Sequence, residues 1–147
     1  MFFTHQGLTW DQADPLSRLA GVPFPAKRGD AAVARLLEGL RARGETDLAR
    51  SIDRALDRPW SKETIAAQFA PLAEWSRAHG APVILNEFGA LRFNAARGAR
   101  LAWLAAVREA AQANGFGWAH WDYNQAFGLL DEAGQPDLAL IDALLPA

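Results

Sequence analysis

Pro82-Val83-Ile84-Leu85-Asn86-Glu87-Phe88-Gly89 is the stretch that decides the fold. A short apolar run with β-branched residues ends in a carboxylate, and a glycine follows two residues later. The pattern predicts a buried strand over Pro82 to Glu87, with Gly89 letting the chain turn away sharply. A charge at the end of a buried strand costs several kcal/mol unless it is paired, hydrogen-bonded or catalytic. Glu87 is therefore the first candidate functional residue. A second strand-like run, Gly115 to Tyr123, carries Trp118 and Trp121, and Trp121 stands 34 residues beyond Glu87.

Around these two runs the order of elements is legible. Met1 to Thr4 is a β-prone run ending in His5-Gln6-Gly7, and residues 8–30 are loop-like, punctuated by Pro15, Gly21, Pro23, Pro25 and Gly29. Asp30 is a plausible N-cap for a helix from Ala31 to Arg43, which Gly44 stops. A second helix spans Thr46 to Asp57 and ends at Pro59. Ser61-x-x-Thr64 opens a third, which runs to His79 and is stopped by Gly80. Ile65, Phe69, Leu72 and Trp75 recur at helical spacing and predict its buried face. A long helix from Ala95 to Asn114 separates the two strand-like runs, with Leu101, Leu104 and Val107 on one face. Phe116 to Asp122 is the last strand. Phe127 to Leu130 reads as a short extended piece, Glu132 to Gln135 as a turn, and Asp137 to Leu145 as a closing helix.

Strands that alternate with helices imply an α/β fold with parallel strands joined by crossovers. In such folds the ligand site lies at the strands' carboxyl ends. His5 and Trp10 follow the first strand, Glu87 ends the second and Trp121 ends the third, so three strand ends converge on one reading. A carboxylate beside indoles suits a sugar: the acid can attack the anomeric carbon, and a flat ring carries a pyranose face.

Composition narrows the field. The chain has 147 residues, half of them hydrophobic, which is enough for one domain with a core. The formal net charge is −2, so no basic surface argues for nucleic acid. There is no cysteine, and the three histidines have no paired ligand spacing, so neither a metal nor a cofactor is expected. No apolar run approaches the ~18 residues of a membrane span. The start, Met1-Phe2-Phe3-Thr4-His5, has neither a basic nor a long apolar leader region, and Met1 reads as an internal position of a longer protein.

The segments Phe3-Thr4-His5-Gln6-Gly7-x-x-Trp10, Val83-Ile84-Leu85-Asn86-Glu87-Phe88-Gly89 and Gly117-Trp118-Ala119-His120-Trp121-Asp122-Tyr123, with Phe127-Gly128-Leu129-Leu130 behind, resemble glycoside hydrolase family 5. This is the family of cellulases and related β-glycanases. The three segments are similar to the ends of its sixth, seventh and eighth barrel strands. The resemblance implies a partial (β/α)8 TIM barrel of about three βα units, with a helical insertion at about residues 31–58. It implies a retaining β-glycosidase of endo-β-1,4-glucanase type, with Glu87 as nucleophile. Trp121 would floor the subsite of the cleaved sugar, and His5, Trp10 and Asn86 would contact substrate. The implied partner is a β-linked oligo- or polysaccharide, and the family is commonly secreted. Its acid/base glutamate, in an Asn-Glu-Pro setting on the fourth strand, has no counterpart here, and retaining hydrolysis needs two carboxylates about 5–5.5 Å apart. Asp122 is a poor substitute. The expectations are therefore a C-terminal barrel fragment, inactive alone, that associates with the missing barrel half or with itself. The rival readings are a stand-alone carbohydrate-binding remnant and an assembly protein, a partial barrel completed by itself or by another chain. Trp118 is open between cleft and core, His120 is expected to pack away from the cleft, and Trp60, Trp75 and Trp103 are expected in the core.

Overall fold

The computed structural model describes residues 2–146. Among these residues five α-helices and two strands follow a short 3-10 turn at Pro15–Arg18: α1 (Ala31–Ala42), α2 (Thr46–Ala55), α3 (Lys62–His79), β1 (Ile84–Phe88), α4 (Arg97–Ala113), β2 (Gly117–His120) and α5 (Leu138–Leu144). The helix ends obey local signals. Ser61 Oγ accepts from Thr64 N at the start of α3, and Gly80 closes that helix in the left-handed region at φ 60°. Beyond α4, Gly115 takes φ 68°, and Phe116 N donates back to Ala111 O at 2.9 Å. Asp30 stands at the head of α1, but its carboxylate accepts from Lys27 N instead of capping the helix.

β1 and β2 pair in parallel, with Ile84 opposite Gly117, Leu85 opposite Trp118 and Phe88 opposite His120. Three steps on β1 thus match two on β2, an irregularity centred on Asn86 and Glu87. α4 is the crossover between them, and it packs against both strands and against α3 and α5. Leu104 and Val107 of α4 bury with Phe88 of β1 and with Leu140 and Leu144 of α5. A larger core joins Phe3, Leu19, Val22, Leu40, Ile52 and Leu91, and so ties the N-terminal segment to the α1–α2 hairpin.

Four expectations are corrected. The first predicted strand does not form: Met1 lies outside the described residues, and Phe2 to Gly7 turn instead of extending. Aromatic packing fixes this segment. Phe3 lies 5.5 Å from Phe24 and Phe2 stacks on Trp60 at 6.2 Å, while Thr4 O accepts from Leu91 N just beyond β1. The sheet among the described residues therefore has two strands, not three. β1 is not buried: Ile84 is 67% exposed and Glu87 is exposed, because no further layer covers them. Leu72 and Trp75 of α3 face solvent, with Trp75 stacked on His79 at 4.8 Å; the helix buries Ala73 and half-buries Ile65 and Phe69 instead. The run Phe127 to Leu130 forms a turn and an isolated bridge, Leu130 to Pro136, not a strand.

Candidate active site

Glu87 leaves β1 at its carboxyl end and lines an open cavity of about 1090 Å³. His5, Trp10 and Trp121 line the same cavity, so one space gathers residues from both ends of the chain. Asn86, next to Glu87 on the strand, is exposed but does not line it. Trp118 does not line it either; its ring packs edge-on against Phe88 at 5.7 Å. Among the described residues Glu87 makes no hydrogen bond or ion pair, which leaves its carboxylate free toward the cavity.

The two aromatic walls are built differently. Trp121 is 50% exposed, and its backbone is tied to β1 by Trp121 N donating to Phe88 O at 2.9 Å. The Trp121–Asp122 peptide bond is cis. Gly89 lies beneath: a Cβ there would collide with the Trp121 carbonyl oxygen, so only glycine lets the two strand ends approach this closely. On the other side His5 sits edge-on to both Trp10 and Phe127, each at 5.9 Å, and Trp10 is tilted over Phe127 at 6.4 Å. His5 Nδ1 meets Thr4 Oγ1 at 2.8 Å. Burial lowers the His5 pKa, so its imidazole is neutral at pH 7.

The turn that carries His5 is anchored from below. Gln6 is fully buried, donating to Phe3 O at 3.0 Å and accepting from Val22 N at 2.9 Å. Asn94, from the loop after β1, donates to Leu19 O at 2.9 Å. A strand is thus unnecessary for placing His5 at the mouth of the cavity.

Asp122 also lines the cavity, but its oxygens serve the loop: Oδ1 accepts from Gln125 N at 2.7 Å, with a long contact of 3.5 Å from Phe127 N to Oδ2. That occupation fits a structural role better than proton transfer. His120 points away from the cavity and packs perpendicular to Phe88 at 5.9 Å. Neither of its ring nitrogens has a hydrogen-bond partner among the described residues, and burial followed by the Arg100 charge lowers its pKa to about 4. Trp60 and Trp103 pack against the core as expected. Phe127 and Gln125 also line the cavity; Phe127 belongs to the run behind the third segment, but neither residue is marked by the sequence as a wall of the site. No group of three or more His, Asp or Glu among the described residues could hold a metal ion, and no helix among them is long and apolar enough to cross a membrane.

Known proteins share the sequence pattern and the fold of this chain. The family described as Cellulase (glycosyl hydrolase family 5) matches residues 44–127. Endoglucanase 3 of Fibrobacter succinogenes is 29% identical over 129 residues, covering 88% of this chain and 19% of the relative. A hyperthermophilic endo-β-1,4-glucanase, crystallised in complex with substrate, is 25% identical at a TM-score of 0.65; the alignment covers 99% of this chain and 36% of that one. Thermotoga maritima Cel5A, solved with cellobiose, shares the fold at 22% identity and a TM-score of 0.63, again with 36% of its length covered. The chain thus spans about a fifth of its curated relative and about a third of the matched structures, as a partial barrel does. The chain belongs to glycosyl hydrolase family 5, the cellulase family.

Proposed function

We propose that this chain is the nucleophile-bearing part of a retaining β-glycanase of endo-β-1,4-glucanase type. The observation that carries the reading is the single cavity shared by Glu87, Trp121, His5 and Trp10. Glu87 attacks the anomeric carbon and forms the glycosyl-enzyme bond as the leaving oxygen departs. Trp121 offers an exposed indole face to the pyranose on one side, and Trp10 with His5 lines the other. Asn86, off the cavity wall, keeps at most a supporting part. Residues 31–58, which form the α1–α2 hairpin, are read as an insertion that borders this cleft. The proton donor comes from the portion of the barrel that this chain does not contain, since Asp122 is engaged with its own loop. A β-linked oligosaccharide is the ligand, consistent with relatives crystallised with substrate and with cellobiose.

The test pairs binding with turnover. The chain alone is expected to bind cello-oligosaccharides and to hydrolyse neither an aryl β-glucoside nor a β-glucan at a rate typical of the family. General acid catalysis alone is worth about 10²–10⁴-fold. Supplying the remaining barrel strands with their glutamate should restore turnover, and Glu87→Gln should then abolish the covalent step while binding persists. Near-normal turnover in Glu87→Gln removes Glu87 from the mechanism, and absence of any glycan binding removes the reading as a whole.

A further inference from the structure

Arg100 is a buried charge that the proposed chemistry leaves without a task. It projects from α4, is 6% exposed, and forms no ion pair among the described residues. A buried cation normally needs a carboxylate. Asp137 and Asp122 act on it only at a distance, and Asp137 is already held by Arg97 at 2.6 and 2.8 Å. Backbone carbonyls satisfy the guanidinium instead: Nε donates to Ala90 O at 2.9 Å, and Nη2 donates to Phe127 O at 2.5 Å and Gly128 O at 3.1 Å.

These carbonyls belong to two separate loops. Ala90 follows β1 three residues after Glu87, directly beyond the glycine that lies under the Trp121 carbonyl. Phe127 carries the ring against which His5 and Trp10 pack. We infer that Arg100 is a positioning residue: its planar fork sets the spacing between the strand end that bears Glu87 and the Trp10–His5–Phe127 wall, and so the width of the glycan cleft. The inference rests on the glycan-binding reading above. Lysine has the charge and the stem but not the rigid fork that spans two loops. Arg100→Lys therefore separates clamping from mere charge, and Arg100→Met removes both.

The experiment uses the chain labelled with fluorotryptophan, its six tryptophan resonances assigned by single replacements. In Arg100→Lys the Trp10 and Trp121 resonances are expected to shift or broaden. Trp75, on the outer side of α3, should stay where it is. Cellotetraose affinity should fall about tenfold or more, with a cooperative melt retained. Arg100→Met should show the same pattern more strongly. Unchanged Trp10 and Trp121 signals in a folded lysine variant overturn the inference. So does an equal shift of Trp75, or a lysine variant that fails to fold, since each assigns Arg100 to stability alone. If the unmodified chain binds no cellotetraose, the glycan reading fails, while the resonances still decide whether Arg100 holds the two loops.

Discussion

Gly89→Ala tests the close approach of the two strand ends. Gly89 does not have a positive φ, so the added methyl meets a steric penalty and no backbone one. Its Cβ would overlap the Trp121 carbonyl oxygen and lie 3.0 Å from Phe127 Cδ1 and 3.3 Å from Phe127 Cβ. Neither neighbour yields easily. Trp121 N is bonded to Phe88 O at 2.9 Å, and Phe127 is held through its carbonyl by Arg100 and through its ring by His5 and Trp10. Overpacking of this kind costs about 1–3 kcal/mol, and loss of the Trp121–Phe88 hydrogen bond adds about 1 kcal/mol. For a chain of this size that total lowers the melting temperature by on the order of 10 °C. Thermal unfolding by circular dichroism measures it. Gly98→Ala is the control, because nothing lies within 4 Å of a Cβ there and Gly98 sits inside α4. That change should be neutral or stabilise by up to about 1 kcal/mol. Equal melting temperatures for Gly89→Ala and the unaltered chain would refute the argument that glycine is required beneath Trp121.

Three further outcomes follow from the same geometry. Trp121→Ala should weaken cello-oligosaccharide binding with little loss of stability, because half the indole is already exposed; calorimetric titration beside a melting curve checks it, and a large drop in melting temperature at unchanged affinity would assign the ring to packing. Stability should fall with pH from about 6.5, where an unfolded histidine titrates, to about 4, the folded value for His120, at no more than about 1.4 kcal/mol per pH unit for this one proton. The sign follows from the unfolded chain binding a proton that the folded chain excludes. His5, also lowered by burial, adds in the same direction, so His120→Phe should flatten the urea-melt pH profile only in part, and an unaltered profile in that variant would contradict the buried neutral ring. The open face of β1, with Ile84 67% exposed, should bind a hydrophobic dye or drive association; light scattering showing a monomer, together with no dye binding, would mean that the face is covered.

Much of the candidate site is legible in the residues themselves. Glu87 and Trp121 stand out as a charge and an indole at the ends of strand-like runs, and both line the cavity. His5 and Trp10 join them although the segment expected to carry them as a strand is a turn. The anchor there is a buried glutamine and an asparagine from a distant loop, and no local pattern predicts such bonds. Phe127 is hidden as a wall residue for the same reason: its place depends on contacts with residues more than a hundred positions away.

The sequence by itself determined the helices, the parallel pairing and the family likeness. Caps, glycine stops and apolar spacing act within a few residues, so α1 to α5 lie within a few residues of their expected bounds. Tertiary structure alone decided whether Phe2 to Thr4 became a strand, which faces of β1 and α3 met solvent, and that Arg100 would bridge two loops. An extended segment becomes a strand only when a neighbour takes its backbone hydrogen bonds, and a residue is buried only when another layer lies over it. Those conditions depend on what packs against the segment, and the residues of the segment do not contain them.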